Sequence, residues 1–161
     1  MMQTDVRMAY VAGSGQLVST APARLKGLTV TSGTSSLRNM AVCNPATLKS
    51  GTYSQTGTTA TITISNHGFT NGQRMFVDFT TGTSRDGAYE ITYINANSFS
   101  VTTANSVSTS GNVTVYPSIH VEIDTFSTVG LPIKIPGEGI YCPNGFYVGV
   151  GNLVTALVYY G

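Results

Sequence analysis

Few residues in this chain are of types that do chemistry, and their spacing limits what they can do. His120, Glu122 and Asp124 occupy alternate positions. On a strand they share one face at the two-residue period, so their tips can converge on a metal ion. Zinc needs three or four such ligands, oriented by further hydrogen bonds. On the solvent side of an antiparallel strand the same triplet reads as a solvated polar face, and no metal is expected. His67 precedes Gly68 and reads as a turn histidine bonded to backbone. Cys43 and Cys142 are too few for a disulfide framework and read as free buried thiols. No Gly-x-Ser-x-Gly elbow presents a serine nucleophile. The seven acids are scattered rather than paired for glycoside cleavage. Gly137-Glu138-Gly139 lacks the lysine and following helix of a phosphate loop, and reads as a strand-linking turn. The expectation is a non-enzyme without catalytic residues or cofactor.

The elements that position these residues are strands. Only 9% of the 161 residues are charged, against about 25% in an average globular protein, and Thr, Ser, Gly and Asn fill the polar positions instead. With 41% hydrophobic residues, nine Tyr and six Phe, the chain can bury a core, which a disordered sequence cannot. A net charge of +1 gives little field to steer nucleic acid. No stretch approaches the roughly 20 apolar residues that span a bilayer. Met1 to Tyr10 contains Asp5 and Arg7 and lacks the apolar run of a signal peptide. Neither nucleic acid nor membrane is an expected partner. Synthesis in a reducing cytoplasm is expected, which also argues against a disulfide.

No window carries helical periodicity, whereas alternation is widespread. Ala60, Ile62 and Ile64 form one stripe. Met75, Val77 and Phe79 form a second, and Tyr89, Ile91 and Tyr93 a third. Phe99 with Val101 and Val113 with Val115 complete five. Asn66-His67-Gly68, Asn71-Gly72, Asp86-Gly87 and Asn95-Ala96-Asn97 mark turns between them. Five strands in about 60 residues predict a small barrel or sandwich, of the size that buries only about 60% of its unfolded surface. Flanking it, Leu25–Ser32, Met40–Cys43, Ile119–Asp124, Leu131–Ile135, Phe146–Val150 and Leu153–Tyr160 also read as strands, with Ile119, Val121 and Ile123 facing inward. Pro143-Asn144-Gly145 predicts a hairpin between Tyr141 and Phe146. Neither flank alone has enough strands for a core. The predicted fold is all-β: a discontinuous antiparallel β-sandwich, residues 1–50 with 117–161, carrying a small β-barrel, residues 51–116, inserted in a loop. Ser50-Gly51 and Tyr116-Pro117 are the expected hinges.

The last strand is apolar on both faces. Leu153, Thr155, Leu157 and Tyr159 point one way, and Val154, Ala156, Val158 and Tyr160 the other. Such a strand is either covered on both sides or contributes to a subunit interface. Tyr159 and Tyr160 read equally as interface anchors or as caps on the core. Arg24, Lys26, Arg38 and Lys49 read as solubilising charges or as groups that meet an acidic patch on a partner.

The series Asn66-His67-Gly68-Phe69, Asn71-Gly72, Asp86-Gly87-Ala88-Tyr89-Glu90-Ile91 and Asn95-Ala96-Asn97-Ser98-Phe99 resembles the FCCH-like β-barrel pattern, over roughly residues 53–116. That pattern is named after a half-domain of ubiquitin-activating enzymes, and a similar series recurs in phage structural proteins. Arg24-Leu25-Lys26-Gly27-Leu28, Ile133-Lys134-Ile135-Pro136-Gly137-Glu138-Gly139-Ile140, Asn144-Gly145-Phe146-Tyr147-Val148 and Val158-Tyr159-Tyr160-Gly161 resemble small virion proteins of tailed phages, which lack the inserted barrel. The resemblance implies a bacteriophage virion structural protein, above all a capsid decoration (cement) protein on the capsid exterior. Its partners would be the major capsid protein and itself, as a homo-oligomer for which the role suggests a trimer. The alternative it implies is a tail- or fibre-associated protein whose barrel binds host surface glycan. The interface candidates are Pro136, Glu138 and Ile140 in the turn and Leu157, Tyr159 and Tyr160 in the last strand.

Overall fold

The structure, a computed structural model, describes residues 6–13, 15–33, 38–125 and 128–161. In chain order the strands are β1 (Arg7–Ala12), β2 (Gln16–Ser19), β3 (Ala23–Ser32), β4 (Arg38–Cys43), β5 (Lys49–Thr63), β6 (Arg74–Asp78) and β7 (Gly87–Asn95). They continue with β8 (Ser98–Tyr116), β9 (Ile119–Thr125), β10 (Leu131–Lys134), β11 (Ile140–Cys142), β12 (Phe146–Val150) and β13 (Val154–Tyr160). The only helical turn among the described residues is 3-10, Pro45–Thr47, opened by Asn44, whose Oδ1 accepts from Ala46 N at 3.0 Å. The protein is all-β and antiparallel, as its alternation predicts.

Three sheets form. The outer sheet runs β1-β13-β3-β10, with β11 continuing along β3 beyond β10, and the middle sheet runs β2-β12-β4-β9. These two pack as a β-sandwich. Leu25, Leu28, Val30, Val154, Ala156 and Val158 of the outer sheet meet Met40, Val42, Phe146, Val148 and Val150 of the middle sheet in one buried cluster. The third, inserted sheet runs β5-β8-β6-β7, and β7 also pairs β8. Its own core gathers Ile62, Phe69, Met75, Val77, Ile91 and Phe99.

Several details depart from the sequence reading. The inserted sheet curls over on itself without closing into a barrel, because β5 pairs β8 alone and keeps its other edge free. Its fourth and fifth predicted stripes belong to one strand, the 19-residue β8. The stretch between them is Thr/Ser-rich and pairs residue for residue with the polar half of β5, from Lys49↔Val115 to Gly57↔Val107. No apolar alternation marks that ladder, since Gln55 takes a core position there. The Gln55 amide nitrogen lies 2.7–2.8 Å from Gly57 O, Thr103 Oγ1 and Asn105 O. Ser50 and Gly51 lie inside β5, paired with Thr114 and Val113, rather than at a hinge. Pro143-Asn144-Gly145 is a turn, with Gly145 at φ 72°, but not a hairpin. It carries the chain from β11 in the outer sheet to β12 in the middle sheet.

Candidate docking surface

The middle sheet is covered on both faces. One faces the sandwich core. On the other, Ala41, Cys43 and Tyr147 pack against Phe76, Ala88 and Tyr116 of the inserted sheet, with Ile119 beside them. Small residues make this approach possible. A Cβ on Gly149 would lie 2.3 Å from the Phe76 ring, so the bare backbone there lets Phe76 seat on the sheet. Tyr116 stacks on Tyr147 with centroids 4.1 Å apart and planes at 8°.

Polar groups stitch the same joint. Tyr147 Oη donates to Asp78 Oδ2 at 3.0 Å, and Ala88 N donates to Asn39 Oδ1 at 3.1 Å. Asp86 Oδ1 accepts from Phe79 N at 2.8 Å. Arg74 forms a forked ion pair with Glu122, its Nε 2.6 Å from Oε2. The hydrogen bond to Glu122 raises the Arg74 pKa, with further support from the Asp124 and Glu90 charges. Asp78 is buried, its Oδ1 without a hydrogen-bond partner, and burial raises its pKa above the ordinary carboxylate value. Burial, with the nearby Asp78 charge adding to it, pushes Asp86 up to about 7, although the Phe79 N–H pulls the other way. Burial and Asp78 push the Tyr116 hydroxyl up to about 12. A polar cleft of about 250 Å³ opens beside the joint, lined by Arg74, Arg85, Asp86, Tyr89 and Asp124 among others.

Among the described residues the outer sheet is covered on its inner face only. Its outward face carries Met8 and Tyr10 from β1, Leu157 and Tyr159 from β13, and Thr29 and Pro132 from β3 and β10. Met8 stands opposite Tyr159, Tyr10 opposite Leu157, and Leu157 opposite Thr29. Met8 and Tyr10 are 62% and 61% exposed. Tyr159 forms one wall of a groove of about 330 Å³ whose other walls include Val6, Pro132, Ile133, Lys26 and Lys134. Arg24 lies over the Tyr141 ring at 5.3 Å on the adjoining part of the sheet. An apolar, aromatic sheet face left in contact with water marks an interaction surface more often than a chance exposure.

The sequence candidates divide accordingly. Leu157 and Tyr159 sit on the outward face. Pro136 and Glu138 are exposed at the turn on its edge, where Lys26 Nζ donates to Glu138 O at 2.9 Å. Ile140 and Tyr160 do not join them. Both stand opposite Leu25 and pack against the sandwich core, Tyr160 edge-on to Phe146 with centroids 5.5 Å apart. The irregularity between Tyr159 and Tyr160 preserves this inward placement. Of the cations read as meeting a patch, Lys49 is spent inside the inserted sheet, donating to His67 O at 2.7 Å. The Arg38 side chain lies outside the described residues. Met8, Tyr10 and Pro132 were not read as candidates, although Met8 and Tyr10 alternate around Ala9 as an edge strand does.

The residues of chemical type are dispersed. A bulge in the β4–β9 ladder pairs Val42 with Val121 and Cys43 with Ile119, leaving His120 as the extra residue. Ile119 therefore turns to the joint while Val121 and Ile123 keep to the sandwich core. Glu122 is held by Arg74, and His120 Nε2 is buried without a hydrogen-bond partner. Among the described residues no three His, Cys, Asp or Glu come together as a metal-holding group. His67 is a turn histidine. Its Nδ1 accepts from Phe69 N at 3.0 Å, and its Nε2 is 2.8 Å from Asn95 O. Cys43 and Cys142 are free and buried, and burial raises both thiol pKa values, which disfavours the thiolate. No helix among the described residues is long and apolar enough to cross a membrane.

Comparison with models of known protein families finds no match, and a search of curated proteins finds none either.

Proposed function

We propose that this chain is a non-catalytic structural protein of a bacteriophage virion, and within the virion a capsid decoration protein that docks through the outward face of its outer sheet. One observation carries the docking role. In a stack of three sheets whose facing surfaces are covered, a broad apolar face left open among the described residues bears Met8, Tyr10, Leu157 and Tyr159. The virion setting rests on the motif resemblance.

The size of the face supports repeated attachment. Strands about 4.8 Å apart, rising about 3.3 Å per residue, make a sheet face of this extent roughly 20 Å on a side, or about 400 Å². A standard interface buries about 800 Å² on each partner. One such face therefore holds weakly, and an oligomer presenting several at once, such as a trimer, gains avidity without new contacts. On a shell, many copies bridging neighbouring capsid subunits add up to resistance against internal pressure. The inserted sheet, seated on the far side of the sandwich, would project outward.

The second reading, a tail- or fibre-associated protein whose inserted unit binds host glycan, draws on a hollow of about 290 Å³ by Asn66, His67, Phe69 and Tyr93. Two amide oxygens of the adjoining turns are already committed. Asn97 Oδ1 accepts from Asn66 N at 2.9 Å, and Asn71 Oδ1 from Tyr93 N at 2.9 Å. That leaves fewer acceptors for sugar hydroxyls and favours the first reading. The deciding experiment is the copy number in purified virions, by mass spectrometry against the major capsid protein. A ratio close to that of the capsid lattice is expected; a few copies per particle would move the protein to the tail, and none would remove it from the virion.

A further inference from the structure

The strands of the outer sheet carry four cations, Arg7, Arg24, Lys26 and Lys134, and no acid. Five of the acids, Asp78, Asp86, Glu90, Glu122 and Asp124, lie instead in or beside the other two sheets. A net charge of +1 thus hides a segregated distribution. On the outward face Lys26 and Lys134 line the groove with Tyr159, and Arg24 stands beside them over Tyr141. The centre is apolar and its border is basic. Among the described residues the acid on this side is Glu138, in the turn that joins β10 to β11.

We infer that this face takes a protein surface with an apolar centre and an acidic rim, and that the surface belongs to a different protein from this chain. The inference rests on the docking role proposed above and names the partner's chemistry. Charge complementarity decides between occupants. A second copy meeting this face with its own would offer Lys26 and Lys134 no carboxylate, because the strands of the outer sheet carry none. An anionic membrane is recognised by clusters of about four to eight Lys and Arg or by an amphipathic helix, whereas here three cations border half-buried strand residues. Nucleic acid is held by phosphate contacts, and an apolar centre gives the backbone nothing to bind. Tyr and Met set in a rim of fixed charge are the composition of a protein interface.

The test uses the chain itself as a probe of defined chemistry. Lys26→Glu/Lys134→Glu sets two carboxylates on the border of the same apolar face, beside the remaining Arg24. Lys134→Glu alone, at an exposed position, serves if the double variant melts early. Analytical ultracentrifugation of wild type mixed with the variant should show a complex that neither forms alone. Raising salt from about 50 to about 500 mM should weaken it about tenfold or more, and Tyr159→Ser in either partner should abolish it. Absence of a complex overturns the inference. So does a wild-type oligomer dissociated by Tyr159→Ser, which makes a second copy the occupant. Binding to phosphatidylcholine/phosphatidylserine vesicles or to duplex DNA that is lost in Lys26→Glu/Lys134→Glu overturns it equally. A second measurement, binding to shells of the phage encoding the chain, separates this inference from the reading beneath it. Shell binding unaffected by these variants overturns the face assignment and leaves the virion role standing. No shell binding, with the complex formed, sinks the virion role and leaves the face assignment.

Discussion

Two of the sheet faces that carry aromatic side chains differ in what covers them: the joint face is met by another sheet, and among the described residues the outward face of the outer sheet is not. At the joint between the middle and inserted sheets, Phe76, Tyr116 and Tyr147 are met by Ala41, Ala88, Cys43 and the bare backbone of Gly149. Phe76 faces the small Gly149, and Tyr116 stacks flat on Tyr147, so the large groups are fitted closely. On the outward face of the outer sheet, Met8 stands opposite Tyr159 and Tyr10 opposite Leu157, large against large within one sheet, with no layer of small residues above. Polar groups differ in the same sense. The joint's Asn39, Tyr147, Arg74 and Glu122 bond across it, whereas the cations of the outward face border an open groove. A face shaped to be filled by its own chain shows reciprocal small residues and paired polar atoms. The outward face shows no such reciprocal layer among the described residues, and its Lys26 bonds only to the neighbouring turn, at Glu138 O.

The largest effect should separate the two faces by stability. Phe76→Ala empties a fully buried site in the joint and should cost about 3–5 kcal/mol, read as a lower urea midpoint. Met8→Ser, on the exposed face, should stay within about 0.5 kcal/mol of wild type. Equal losses from the two would erase the distinction.

The joint should also be the pH-sensitive face. Asp86 is raised from its ordinary 3.8 to about 7 by burial, so between those values the folded protein holds a proton that the unfolded chain releases. The resulting stability is fully present near pH 4 and is lost as pH rises through about 7. Its ceiling is on the order of 4 kcal/mol, and it is smaller here because Asp86 also lines the open cleft. Thermal melts from pH 5 to pH 8 should show this decline, and Asp86→Asn should flatten it. A profile identical in wild type and variant would place the pH dependence elsewhere.

The smallest effect concerns the joint's edge. Arg74 and Glu122 side chains are 48% and 20% exposed, so their pairing is worth only about 0.5–1 kcal/mol. A double-mutant cycle of Arg74→Ala and Glu122→Ala should return that coupling and lose most of it in high salt. A coupling of several kcal/mol would make the ion pair, rather than Phe76, the principal attachment.

Much of the architecture is legible in the chain. Alternation at Ile62–Ile64, Met75–Val77 and Val154–Val158 needs only the two-residue period to declare strands, and weak core-forming power in either flank implies that the flanks combine. The misreadings share one cause, which is that apolar patterning reports burial and nothing else. The Lys49–Gly57 ladder is held by backbone bonds under Thr and Ser, so it left no stripe to read. Ile119 and His120 exchanged their expected roles because a bulge, invisible in composition, shifts β9 by one residue against β4. Curling rather than closure of the inserted sheet depends on which edges find partners.

The docking face shows the same division. The last strand announces by itself that both its sides are apolar, because hydrophobicity belongs to each residue alone. Which side the core takes was decided in three dimensions. Pairing with Leu25 and stacking on Phe146 draw Tyr160 inward, and alternation then turns Tyr159 out beside Met8. Likewise the eight cations and seven acids are countable in sequence, but the gathering of Arg24, Lys26 and Lys134 on one acid-free set of strands exists only once distant strands are laid edge to edge.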